Sequence, residues 1–125
     1  MWKLIATMKR KPGLSSAEFR AYYEEKHIPL VKSHVMRFAT EYRRNYPTSS
    51  IEYLDAPTDT AGDNQVAEAD YDCITEVQFS ERASVDKFFA ALAAPAVKEV
   101  IFADEERFVD RMQTRVYLCE EFTTA

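Results

Sequence analysis

The sequence predicts an α+β domain of the ferredoxin-like type, with element order β-α-β-β-α-β, and three observations carry that reading. Four segments alternate apolar and polar side chains with the period of two that marks a strand. Two others carry apolar stripes at spacings of three and four, the helical period. The stripes follow the first and third alternating segments, so each helix connects two strands. Such a plan gives a four-stranded antiparallel sheet with its helices on one face. The 125 residues are 46% apolar and 13% aromatic, which suits one domain over 1–125 with a single core.

Each element has its own justification. Residues 2–9 form the first strand, with Trp2, Leu4, Ala6 and Met8 on one side and Lys3, Ile5, Thr7 and Lys9 on the other. Pro12-Gly13 breaks the chain. Ser15 or Ser16 then caps a helix with Glu18 in its first turn. Its stripe is Phe19, Tyr22, Tyr23, His27 and Leu30, and Pro29 kinks or stops it near His27. Residues 37–46 alternate again and give the second strand. The stretch 47–69, rich in Pro, Ser, Thr and acids, is a long loop and the candidate lid. Residues 70–79 form the third strand. Ser84 caps a second helix with the stripe Val85, Phe88, Phe89 and Leu92. Pro95 opens a further short helix that buries Val97, Val100 and Ile101. Residues 111–120 give the last strand.

Sorting the strands by parity separates two faces. Leu4, Ala6, Met8, Phe38, Tyr42, Cys73, Thr75, Val77, Phe79, Val116 and Leu118 make a largely apolar set, expected under the helices. Ile5, Thr7, Glu41, Arg43, Ile74, Glu76, Gln78, Arg115, Tyr117 and Cys119 make a mixed set, expected on the open face. A mixed, self-complementary face suits pairing with a second copy about a two-fold axis, with Glu76 and an arginine compensating each other.

Composition excludes several classes of function. A net charge of −5 and a pI near 5.1 argue against nucleic-acid binding. Residues 1–46 hold ten Lys/Arg against four Asp/Glu, and 47–125 hold six against seventeen. Either an anionic ligand meets a basic patch, or the halves interleave and their charges complement. No apolar run approaches a membrane span, mean hydropathy is −0.39, and the basic cluster follows the first apolar stretch, the reverse of a secretion signal. Cytoplasmic residence is the expectation. Cys73 and Cys119 make neither a disulfide framework nor a zinc site, and His27 with His34 is no metal site either. With glycine only at 13 and 62, there is no phosphate-cradling loop and no hydrolase elbow.

A resemblance then emerges. Lys9-Arg10-Lys11-Pro12-Gly13 at the end of the first strand, followed by Leu14-Ser15, Phe19, Tyr23 and His27-x-Pro29, resembles the start of EthD-type proteins. Asp104–Asp110 resembles the family's pattern before its last strand. The resemblance implies a dimeric α+β barrel, in which two sheets pair, and a ligand pocket between helices and sheet in each subunit. Relatives include proteins linked to ether degradation and others similar to polyketide-tailoring dehydratases, decarboxylases and cyclases. More distant barrel relatives are cofactor-free monooxygenases and muconolactone isomerases.

Candidate site residues follow from both readings. His27 is either a general acid/base in an aromatic pocket or a cap on its helix end, where the dipole and Glu24 favour the cation. The family match strengthens the first. Tyr23, one turn earlier, lines the same pocket. Tyr42, Tyr46 and Phe38 with Phe88 and Phe89 make either a substrate-binding aromatic wall or ordinary core. Arg43, Glu76, Arg115 and Tyr117 form a second constellation, a dimer-interface salt bridge or a seat for an acidic substrate. The expected function is a small cofactor-independent enzyme that dehydrates, decarboxylates or cyclises an aromatic or polyketide-like molecule by proton transfer. A cofactor-free monooxygenase and a non-catalytic carrier of a hydrophobic compound are the alternatives.

Overall fold

The computed structural model of the chain describes residues 1–52 and 65–125. Four strands form the main sheet: β1 (Trp2–Met8), β2 (Glu41–Asn45), β5 (Cys73–Phe79) and β6 (Arg115–Glu120), in the order β2-β5-β1-β6. Every pairing is antiparallel. The central strands β1 and β5 are each followed by helices that cross to an edge strand, which is the predicted ferredoxin-like plan. Leu4 lies opposite Val77 on one side and Leu118 on the other, so the apolar set shares one face as parity requires.

The first helical segment starts as expected. The Ser15 hydroxyl accepts the Glu18 amide at 3.1 Å, and the Glu18 carboxylate accepts the Ser15 amide at 3.0 Å, a reciprocal cap. Gly13 before it has φ +96°, a conformation that a side chain would strain. The helix does not stop at His27. It runs as α1 (Ser16–Tyr22), a π turn (Tyr23–His27) and α2 (Ile28–His34). Pro29 has no amide proton to give Glu25 and its ring crowds that carbonyl, and the widened turn just before it accommodates both defects.

Other boundaries move by a few residues. Met36–Phe38 is a 3₁₀ turn, so the second strand opens at Glu41 rather than at residue 37. The third opens at Cys73 rather than at residue 70. Helix α3 (Arg82–Ala93) takes Glu81 as its cap, which places Ser84 inside the helix. Helix α4 (Pro95–Glu105) buries Ile101, while Val100 is 42% exposed. Arg111–Gln113 is another 3₁₀ turn, leaving Met112 in solvent. The stretch 47–69 carries an antiparallel ribbon, β3 (Ser50–Glu52) with β4 (Gln65–Ala67). Residues 53–64 of the candidate lid lie outside the described residues. Among the described residues no helix is long and apolar enough to cross a membrane.

The core has two parts. An aliphatic one gathers Leu4, Val31, Val35, Val77, Val85 and Ile101 with Phe79 and Phe88. An aromatic one gathers Phe19, Tyr23 and Phe108 with Met8, Cys73 and Val109. The chain after α4 is tied back to the end of β1: Lys11 donates to the Phe108 carbonyl at 2.8 Å and Asp110 to that of Lys9 at 2.9 Å. These bonds seat Phe108 against Phe19, Tyr22, Tyr23 and His27, with ring centroids 4.9–5.4 Å apart.

Candidate active site

A cavity of about 210 Å³ lies between the helices and the sheet, where the two core parts meet. Its walls are mostly apolar, and among the described residues its ionisable lining is Tyr23, His27, Tyr42 and Glu105. Phe88 is buried in the wall, stacked edge-on against Phe79 at 5.3 Å, whereas the lining residue Phe89 is 42% exposed.

The π turn carries Tyr23 and His27 into this wall. His27 Nδ1 is 2.8 Å from Asp104 Oδ2, and the other carboxylate oxygen accepts the Tyr22 hydroxyl at 2.6 Å. A carboxylate only accepts, so the ring carries its proton on Nδ1 and keeps a bare lone pair on Nε2. Burial pulls the imidazole below its ordinary value, and the bond to Asp104 offsets part of that. The structure therefore corrects two expectations. His27 sits within a continuous helical segment, where no helix end favours the cation. Its acidic partner is Asp104 of α4, whereas Glu24 is held by Arg44, at 2.6 and 2.9 Å, and by the Tyr46 hydroxyl.

Beside the imidazole, whose centroid is 5.8 Å from that of the Tyr23 ring, three hydroxyls form a chain. Tyr23 Oη lies 2.7 Å from Tyr42 Oη and 2.7 Å from Thr75 Oγ1. Three hydroxyls joined by two hydrogen bonds have one proton over, available at one end of the chain. Burial pushes both tyrosines well above the ordinary phenol range, so they act as neutral donors. A ligand oxygen beside Tyr42 would draw the chain into one direction, Thr75 to Tyr23 to Tyr42 to ligand, and each bond would polarise the next. Tyr46 does not join this wall. Its ring lies under the Arg20 guanidinium, 4.5 Å away, in a polar depression beside the ribbon. Phe38 packs against the aliphatic core from its 3₁₀ turn.

The second constellation shares one row but not one network. Arg43, Glu76 and Tyr117 fall on a line across the open face with Ile5 between the last two, and Arg115 is two residues along β6. Arg43 pairs with Glu41 at 2.7 Å in solvent. Arg115 and Tyr117 are exposed. Glu76 is bound by Lys3 at 2.8 Å and Asn45 at 3.0 Å, so a lysine rather than an arginine compensates it. The Lys3 ammonium also bonds Glu121.

Sequence reasoning missed Asp104, Glu105, Thr75 and Lys3 as site or network residues. Asp104 and Glu105 opened a segment that carried the family resemblance, yet only the fold brings α4 over the π turn. Cys73 and Cys119 are free thiols, and burial raises the Cys73 thiol to about 11. Among the described residues no three His, Cys, Asp or Glu side chains converge as metal ligands would.

A four-stranded antiparallel sheet with helices packed on it and a cavity between them define an α+β protein of ferredoxin-like plan. Residues 11–112 match the EthD domain, and the chain belongs to that family. It is 27% identical over 111 residues to the dehydratase UstZ of Ustilaginoidea virens, covering 87% of this chain and 75% of that protein. Its fold matches a crystal structure of an EthD family protein from Bacillus halodurans with TM-score 0.62 at 17% identity, covering 98% and 99% of the two chains. An EthD-like protein from Ralstonia eutropha gives 0.61 at 16% identity, covering 95% of this chain and 89% of that one.

Proposed function

We propose that this protein is a lyase that removes water from a small cyclic β-hydroxy carbonyl compound by proton transfer. One observation carries the reading: His27 lines an apolar cavity with Nδ1 held by Asp104, which leaves Nε2 as the ring's acceptor. A base of that kind suits removal of a proton next to a carbonyl, because it is uncharged at rest and acts near neutral pH. The carbonyl oxygen gains negative charge as the proton leaves, and the Thr75–Tyr23–Tyr42 chain offers a neutral donor for it. The likeness to a dehydratase supports the same chemistry. Size limits the substrate: an apolar cavity of about 150 Å³ takes benzene, so about 210 Å³ suits one ring with substituents or a compact bicycle.

The test is a thermal-shift screen of the protein and His27→Ala against hydroxylated aromatics, lactones and bicyclic β-hydroxy ketones, followed by mass analysis. Stabilisation with loss of water, slowed ~10²–10⁴-fold in the variant, is the expected result. Loss of carbon dioxide or gain of oxygen would replace dehydration by decarboxylation or oxygenation. Unchanged compound in both proteins would make this a carrier and His27 a structural residue.

A further inference from the structure

We propose that Glu105 is the second proton-transfer group of the cavity, the acid that protonates the oxygen leaving the substrate. The inference rests on the dehydration reading and deepens it. Hydroxide is a poor leaving group, so an elimination needs a donor as well as a base. The donor must stand in the cavity and bind its proton more tightly than an ordinary carboxylate but less tightly than a buried phenol. His27 fails this test, since its proton points away from the substrate to Asp104. Asp104 fails it too, because both its oxygens are engaged, by His27 and by Tyr22. Tyr23 and Tyr42 hold their protons too tightly. Among the described residues, Glu105 is the remaining ionisable side chain of the lining.

Its surroundings fit the task. The side chain is 26% exposed, and among the described residues its ion pair is a loose contact to Arg111 Nε at 3.6 Å. Arg111 is itself partly exposed and lies over the Phe102 ring at 4.2 Å. Burial raises the Glu105 carboxyl above its ordinary value, Arg111 lowers it and neighbouring Asp104 raises it. His27, which touches α4 through Asp104, is the other titratable group to consider, and burial holds it below its ordinary value. Arg111 is then close enough to steady the carboxylate once the proton has gone.

The step balances without a redox partner. His27 Nε2 takes the hydrogen from the carbon next to the carbonyl. The freed electron pair becomes the new carbon–carbon double bond, and the bond from the β carbon to its hydroxyl breaks with its pair on oxygen. That oxygen takes the Glu105 proton and leaves as water. The imidazolium and the carboxylate return to their resting forms by exchanging one proton through solvent.

Leaving-group dependence tests this assignment. The probes are 3-hydroxytetralone, whose dehydration product tautomerises to fluorescent naphthol, and its acetate ester, whose leaving group needs no proton. Glu105→Gln should lose ~10²-fold or more in kcat on the hydroxy compound and stay within about fivefold of the parent on the acetate. Glu105→Asp should recover part of the loss on the hydroxy compound, and it serves as the test if the glutamine variant does not fold. Equal losses on both probes, or no loss on either, would overturn the assignment while leaving dehydration standing. If the parent eliminates from neither probe, the dehydration reading falls and the role of Glu105 falls with it.

Discussion

Lys3 and His27 are equally buried, at 6% and 4% exposure, on opposite faces of the same sheet region, yet the structure treats their charges in opposite ways. Lys3 bonds Glu121 and Glu76, and those partners raise it above its ordinary value despite burial. His27 has one carboxylate, shared with Tyr22, and burial outweighs it. The lesson is that burial alone does not set charge. Two acids keep a lysine charged, and one shared acid leaves a histidine neutral with a proton fixed on one nitrogen. The first arrangement joins β1, β5 and the chain after β6; the second makes a base.

The largest break in this comparison comes from Asp104→Asn. The amide can donate to His27 Nδ1, which moves the ring proton to Nε2 and turns the base into a donor. Turnover should fall ~10²–10⁴-fold while the denaturation midpoint changes little. Nitrogen-15 NMR of His27 should report the changed tautomer, and an unchanged tautomer with lost activity would refute this positioning role.

A smaller effect is expected on the charged side. Lys3→Met leaves Glu76 and Glu121 facing each other without a cation. Their side chains remain 22% and 24% exposed, so the cost should be about 2 kcal/mol, below the ~3–5 kcal/mol of a fully buried pair. The sign with pH is fixed. Lys3, with Asn45, holds Glu76 below its ordinary 4.5, so the stabilisation is complete above that pH and is lost as pH falls through the lowered folded value. Urea unfolding at neutral and acidic pH should show the two proteins converging in acid.

The smallest effect sharpens the contrast. His27 titrates lower when folded than the ordinary 6.5, so the unfolded chain binds the proton more readily. Stability should be full above pH 6.5 and decline as pH falls from there towards the folded value. His27→Gln should lack that slope, and parallel unfolding curves for the two proteins over this range would count against a neutral His27.

Much of this was legible locally. Period-two alternation placed Leu4, Val77 and Leu118 on one face, and the register agrees. Ser15 with Glu18 marked the start of α1, and His27-x-Pro29 marked both the family and the helical irregularity. Less legible were the strand starts, because Phe38 and Met112 keep the alternation while turning in 3₁₀ geometry. Glu24 stood three residues from His27 and looked like its partner, but Arg44 claims it from β2.

What the sequence by itself determined was the element order, the two sheet faces, the capped start of the first helix and the family. Those depend on side chains within about ten residues of each other, where period and turn chemistry act directly. Only the tertiary structure decided that Asp104 meets His27 across 77 residues, that Glu105 lines the same cavity, and that Lys3 holds two acids. A proton's position depends on which groups surround it and how far water is excluded, and packing alone sets both.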